Sequence, residues 1–370
     1  MLYALPDHEV MQTLLPGIEA RRLTVVEARQ ALVERPGLVP IAIRPGAGGS
    51  AGSLIYFADI GDTPFLEWKY IYTIERLAKE GRIDYAFATD FALLDEELPV
   101  ADGLVPDGLL FHVSRCGSTL FCKALARVES NLIINQGGPL QAGFWATLTD
   151  GYRNPLEASV ENLDRFRRIV LLMTRRRRDD YERCLIKFIS WNTIYLEFIR
   201  AAFPDARALY LYREPGEVIA IVRQETTAAL HARGTPLADV LTGLPAVQSR
   251  ELGDVEFLAH CYARYFEQVL EHAEALALTP VNFRQTVRRE HLPVLLERGL
   301  GWIPTAEELA RMQAQFDLYS KDDSGRTRYA GEAEDLLEGL GEYGRKKVDE
   351  LTAELTAALD RLPRNPFRQT

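Results

Sequence analysis

The residues with the clearest chemical potential lie in one string, Phe111-His-Val-Ser-Arg-Cys-Gly-Ser-Thr-Leu120. Gly117 permits close main-chain approach, and a helix starting just after it would aim unpaired backbone N–H groups at an anion. Ser114, Ser118 and Thr119 add hydroxyl donors, and Arg115 adds a charged fork. Together these groups suit a phosphate or a sulfate. The string is not an ATP-type P-loop, because GxxxxGK[ST] requires a lysine where Ser118 stands and an upstream glycine that is missing. A cysteine phosphatase fits no better: Cys116 would sit at a helix start, but the sixth residue after it is Cys122 instead of arginine. The competing reading is a tight strand-to-helix connection capped by serines.

A second segment, Phe203-Pro-Asp-Ala-Arg-Ala-Leu-Tyr-Leu-Tyr-Arg-Glu-Pro-Gly-Glu-Val218, repeats the plan of an apolar strand running into a basic turn. With both segments in view, residues 107–230 resemble the sulfotransferases that use 3′-phosphoadenosine 5′-phosphosulfate (PAPS). That family carries a basic residue, a small residue, glycine and then Ser/Thr-Thr in its 5′-phosphosulfate loop, matched here by Arg115, Cys116, Gly117, Ser118 and Thr119. Its Arg-Asp-Pro turn for the 3′-phosphate is matched by Arg213, Glu214 and Pro215. The resemblance implies an enzyme that passes a sulfuryl group from PAPS to an acceptor hydroxyl or amine. The donor would be held by Ser114, Arg115, Cys116, Gly117, Ser118, Thr119 and Arg213, with Arg115 and Lys187 as catalytic groups. Two departures stand out. Ile221 occupies the position, eight residues after Arg213, where the family often has serine, and Glu214 replaces the commoner aspartate and is assigned to bracing the turn.

Lys187 stands alone in the apolar run Cys184-Leu-Ile-Lys-Phe-Ile-Ser190, where burial without compensation is costly. Near the carboxyl end of a strand it would face the same cleft as Arg115; the alternative is a snorkelling surface lysine. The run from Arg175 to Arg178 suits an acidic acceptor or a ribose phosphate, although Asp179 and Asp180 equally suggest a solvated loop. Lys321, Arg326 and Arg328 surround a late loop of the kind that closes the nucleotide site in some sulfotransferases. For a catalytic base the chain offers His112, His231, Glu129 and Asp150, and spacing does not choose among them. No HExxH helix or Cys/His cluster is present in the sequence, so no metal is expected. The rival readings are a nucleotide-dependent phosphotransferase and a catalytically silent nucleotide-binding module.

The elements that must position these residues follow from periodicity. Residues 109–113, 169–173, 184–189, 206–212 and 278–283 read as strands, and 119–128, 193–203 and 255–277 as helices. This alternation predicts an α/β fold with a mostly parallel central sheet and helices on both faces. The family resemblance makes it a P-loop-like sulfotransferase fold with a mixed N-terminal extension. The expected division is a mixed module at 1–100, packed on the rest or separate from it, and a sulfotransferase-like domain at 101–370 with a helical C-terminal region. Within the module, 10–33 and 65–79 read as helices and 38–44 and 53–58 as strands, with the glycine-rich stretch 45–52 as a flexible turn. In the C-terminal region, Leu351, Leu355, Leu359 and Leu362 form a stripe for packing.

The 370 residues carry a net charge of −10, with 47 % apolar and 26 % charged residues. This balance weighs against a nucleic-acid partner while leaving room for a local basic cleft. The absence of a long apolar run or an export-type start predicts a cytoplasmic protein with no membrane partner. The four cysteines, sparse and unpaired in spacing, are expected as reduced thiols. A small-molecule or protein acceptor is expected; the sequence does not fix an oligomeric state.

Overall fold

Apolar runs on either side of Ala47 and Gly48 set up the first hairpin of the computed structural model, which describes residues 12–18, 21–99, 102–223, 229–322, 326–328 and 336–368. Strand β2 (Leu38–Gly46) pairs antiparallel with β3 (Gly49–Asp59), and Gly46 stands opposite Gly49. Most of the stretch expected as a flexible turn is therefore strand. The chain reverses in two residues, and Ser53 fastens the reversal, its hydroxyl accepting from Gly46 N at 2.7 Å and donating to Gly49 O at 2.8 Å. Strand β4 (Ala86–Asp90) pairs antiparallel with β3 and parallel with the short β1 (Arg21–Arg22), giving a mixed sheet of order β1-β4-β3-β2.

This sheet belongs to the first of two units, which takes in Met1–Asp107, Glu129–Lys187 and Ala201–Pro204. Helix α1 (Val25–Glu34) starts on a capping box: Thr24 Oγ1 accepts from Glu27 N, and the Glu27 carboxylate accepts from Thr24 N. The predicted helix at 10–33 is thus interrupted by β1, and its residues 10, 11, 19 and 20 lie outside the described ones. Helix α2 (Tyr70–Lys79) matches most of 65–79. The unit also holds the parallel pair β6 (Asn131–Asn135) and β7 (Arg183–Lys187).

Between these strands, residues 169–173 are the last turns of α5 (Val160–Met173), not a strand. Ser159 caps the helix by accepting from Asn162 N at 3.2 Å, and Glu161 pairs with Arg165 at 2.6 Å one turn on. Phe166, Ile169, Val170 and Met173 then bury one helical face. A five-residue apolar run carries no period of its own, and here the helix it ends determines its conformation. Helix α4 (Gly143–Leu148) lies against β2, the end strand of the mixed sheet. The approach is very close: a Cβ on Gly138 would stand 2.1 Å from Ile41 O, and one on Gly143 2.0 Å from Ile43 O.

The second unit comprises Gly108–Val128, Phe188–Arg200 and Asp205–Thr370. Its strands β5 (Gly108–His112), β8 (Arg207–Tyr212) and β9 (Thr279–Asn282) are all parallel, with β8 in the middle. Helices α3 (Ser118–Leu125) and α7 (Pro215–Val222) follow β5 and β8 directly. The region 193–203 is a 3-10 turn, Ser190–Tyr195, continuing into α6 (Leu196–Ala202). Helix α8 (Asp254–His272) occupies most of 255–277 and packs along α9 (Gly341–Asp360).

The buried face of α9 differs from the expected leucine stripe. Val348, Thr352, Thr356 and Leu359 are buried, whereas Leu351, Leu355 and Leu362 are only partly covered. Threonine tolerates that position because its hydroxyl donates back along the helix: Thr352 to Val348 O at 2.8 Å and Thr356 to Thr352 O at 2.9 Å. The chain is thus an α/β fold with one mixed sheet and further parallel strands flanked by helices. Among the described residues no helix is long and apolar enough to cross a membrane.

Candidate anion site

All five residues of β5 are buried, and the ladder to β8 runs one residue past the strand, Val113 N donating to Leu211 O at 3.0 Å. The backbone then turns sharply. Arg115 has φ +58°, a left-handed conformation unusual for a residue with a side chain, and Gly117 has φ +80° and ψ −1°. Helix α3 begins at Ser118, and Phe121 N closes its first turn on Gly117 O at 3.0 Å. No side chain caps this start. The first N–H groups of α3 and the positive end of its dipole therefore emerge from a turn with two left-handed residues, the arrangement that forms an anion-binding concavity.

The side chains of the turn divide by direction. Cys116 is fully buried and its thiol donates to Val113 O at 2.8 Å, so it serves the inside of the turn. Ser118 is buried, while Ser114, Arg115 and Thr119 are partly exposed. Ser114 is hydrogen-bonded to the phenol of Tyr262, a buried residue of α8. Burial pushes that phenol well above its usual pKa, so it stays protonated. Behind Gly117 the space is tight: a Cβ would lie 3.0 Å from Val287 Cγ1 and 3.2 Å from Thr286 Cγ2, so those side chains would have to give by a few tenths of an ångström.

Arg213, just after β8, reaches this turn. It is 3 % exposed; its Nε donates to Glu217 at 2.6 Å, its Nη1 donates to Arg115 O at 3.1 Å, and its guanidinium lies 4.1 Å from the centroid of the Phe283 ring. The structure therefore brings Arg115 and Arg213 together through the main chain. Glu214 precedes Pro215 at the start of α7, without capping it. Although Glu214 is exposed, loss of hydration around its carboxyl, followed by the charges of Asp360 and Glu217, raises its pKa above the usual value. Asp360 also accepts from the Tyr212 hydroxyl. Ile221 is half-buried on α7.

The remaining sequence candidates have separate settings. Lys187 is 1 % exposed at the carboxyl end of β7 in the first unit, in register with Asn135. It is not a snorkelling surface lysine. The arginine run is solvated only in part: Arg176 is exposed with Asp179 and Asp180, whereas Arg175 is buried, paired with Asp102 and bonded to Arg35 O, and Arg177 is buried and donates to the carbonyls of Gly61 and Thr63. Arg176 donates to Tyr181 O, and Arg178 pairs with Asp180. The guanidinium groups of Arg175 and Arg177 thereby join distant segments of the first unit.

Among the candidate bases, His112 is buried with Nδ1 2.6 Å from Val113 O, and His231 is exposed. Glu129 pairs with Arg178 and Asp150 with Arg153, each at 3.6 Å. In the late loop, Asp322 is tied to α3 by Lys123 Nζ, which donates to its carbonyl at 3.3 Å. Arg326 and Arg328 are exposed, and the stretch between Asp322 and Arg326 lies outside the described residues.

Glu217, Phe283, Tyr262, Thr286 and Val287 build this site without having been singled out in the sequence. Glu217 lies one helical turn after Arg213, a spacing that signals an ion pair. The other four come from α8 and from the helical turn that follows β9, far away in sequence, and leave no local signal.

No family model matches this chain, and no curated protein does. Solved structures superpose on it in part, two sulfotransferases among them. One is the sulfotransferase STF9 from Mycobacterium avium, with 15 % sequence identity over 67 % of this chain and 78 % of that one and a TM-score of 0.39. The other is the sulfotransferase STF1 from Mycobacterium tuberculosis H37Rv, with 14 % identity over 60 % and 76 % and a TM-score of 0.36. Likeness at that level decides neither the fold nor the chemistry of this chain.

Proposed function

We propose that the turn at 114–119 binds the phosphosulfate of PAPS, and that the protein transfers its sulfuryl group to an acceptor hydroxyl or amine. On this reading the parallel strands and their turns form a P-loop-like sulfotransferase arrangement. The observation that carries the proposal is the uncapped start of α3 behind two left-handed residues, with Arg115 in the turn and Arg213 bonded to its carbonyl. Backbone N–H groups and hydroxyls suit the non-bridging oxygens of a phosphosulfate, and the arginines suit its charge. Without a lysine after Gly117, the same turn suits ATP poorly.

The acceptor's lone pair forms the new bond to sulfur as the bond from sulfur to the bridging phosphate oxygen breaks. That oxygen keeps the electron pair, adenosine 3′,5′-bisphosphate leaves, and the acceptor proton passes to a base or to water. The donors of the α3 start and Arg115 stabilise the charge growing on the bridging oxygen. On sequence grounds Lys187 is the second group proposed for that charge. Ser114, Cys116, Gly117, Ser118 and Thr119 shape the cradle, and Arg213 adds positive charge behind it.

The test is release of adenosine 3′,5′-bisphosphate from PAPS in the presence of a panel of small alcohols, phenols, amines and peptides. Acceptor-dependent release by the wild type, lowered at least about a hundredfold in Arg115→Ala, supports the reading. Tight bisphosphate binding without release on any acceptor instead supports a nucleotide-binding module, and release from ATP supports a phosphotransferase.

A further inference from the structure

Arg213 offers little of what a direct phosphate ligand needs. An arginine that grips a phosphate presents two parallel N–H groups to it. Here the Nε side is closed by Glu217 at 2.6 Å, Nη1 is bonded to Arg115 O at 3.1 Å, and the Phe283 ring lies at 4.1 Å from the guanidinium. The side chain is only 4 % exposed. Its Nη1 bond falls on the carbonyl of the residue held at φ +58°, the one point of the turn where an ordinary side chain pays for left-handed geometry.

We infer that Arg213 is a positioning residue: it holds the backbone of Arg115 left-handed, and so shapes the cradle, without itself gripping the 3′-phosphate. This inference rests on the phosphosulfate reading and refines it. Glu217 aims the guanidinium, Phe283 covers it, and the charge acts on the ligand from behind the main chain. Recognition at 114–119 is then coupled to the β8 turn whatever substituent the ribose carries at its 3′ position.

Calorimetric titrations with adenosine 3′,5′-bisphosphate and with adenosine 5′-monophosphate separate the two roles. The proteins are the wild type, Arg213→Lys and Glu217→Gln, each with its thermal unfolding recorded. Arg213→Lys should weaken both nucleotides by the same factor, about tenfold, leaving the ratio of the two affinities unchanged. Glu217→Gln, which keeps Arg213 but loosens its aim, should weaken both equally and less. Loss of bisphosphate affinity alone would make Arg213 a 3′-phosphate ligand and overturn the inference. Wild-type affinities alongside a lower unfolding temperature would overturn it too, because Arg213 would then be only structural. A wild type that binds neither nucleotide removes the phosphosulfate reading itself, and the inference with it.

Discussion

Gly117 meets two separate demands: a left-handed φ of +80° and a gap tight enough that a Cβ would displace Val287 and Thr286 slightly. Gly117→Ala should therefore lower stability by about 1–2 kcal/mol in urea denaturation and weaken nucleotide binding as well. An unchanged midpoint would show that the turn relaxes freely. Glu214 supplies a pH-dependent counterpart. Its carboxyl pKa is raised on folding, so the protonated form is favoured in the native state, and stability is lost as pH rises from below the unfolded value through the folded one. Glu214→Gln should raise the unfolding temperature at pH 7.5, with the gain vanishing near pH 4; melts at the two pH values check this. At this scale the turn was legible because Ser114 to Thr119 are contiguous. Tyr262, Phe283 and Val287 were not, since only folding brings residues so distant in sequence to the turn.

Among the elements, those whose signal is local agree with the sequence. Residues 109–113 and 206–212 carry enough consecutive apolar residues, followed by turn formers, to identify β5 and β8. Residues 169–173 misled because the polar half of α5 precedes them, and β6 went unseen because its Leu-Ile-Ile core is only three residues long between asparagines. The edge of the mixed sheet also depends on tertiary contact. With Gly143 so close to Ile43 O, Gly143→Ala must push α4 away from β2, at a cost of about 1–3 kcal/mol. Amide hydrogen exchange should show β2 losing protection before β3. Uniform protection would mean that α4 does not guard that edge.

For the whole molecule, a net charge of −10 leaves anion binding to local geometry, as the arginines of the 114–119 turn and the β8 turn illustrate. The chain enters its first unit three times, and such re-entry leaves no linker for composition to mark. The two arginine-rich features also diverge here. The run from Arg175 to Arg178 is bonded to carbonyls and carboxylates of its own unit, while Arg115 remains partly exposed in a turn that no side chain caps. Nucleotide binding should accordingly survive Arg176→Gln nearly unchanged and weaken in Arg115→Ala. The most direct measurement is calorimetric titration of the wild type and Arg115→Ala with adenosine 3′,5′-bisphosphate, and of the wild type with magnesium-ATP. The account predicts saturable bisphosphate binding to the wild type, weakened at least about tenfold in Arg115→Ala, with ATP bound more weakly. Absence of bisphosphate binding together with magnesium-dependent ATP binding would contradict it.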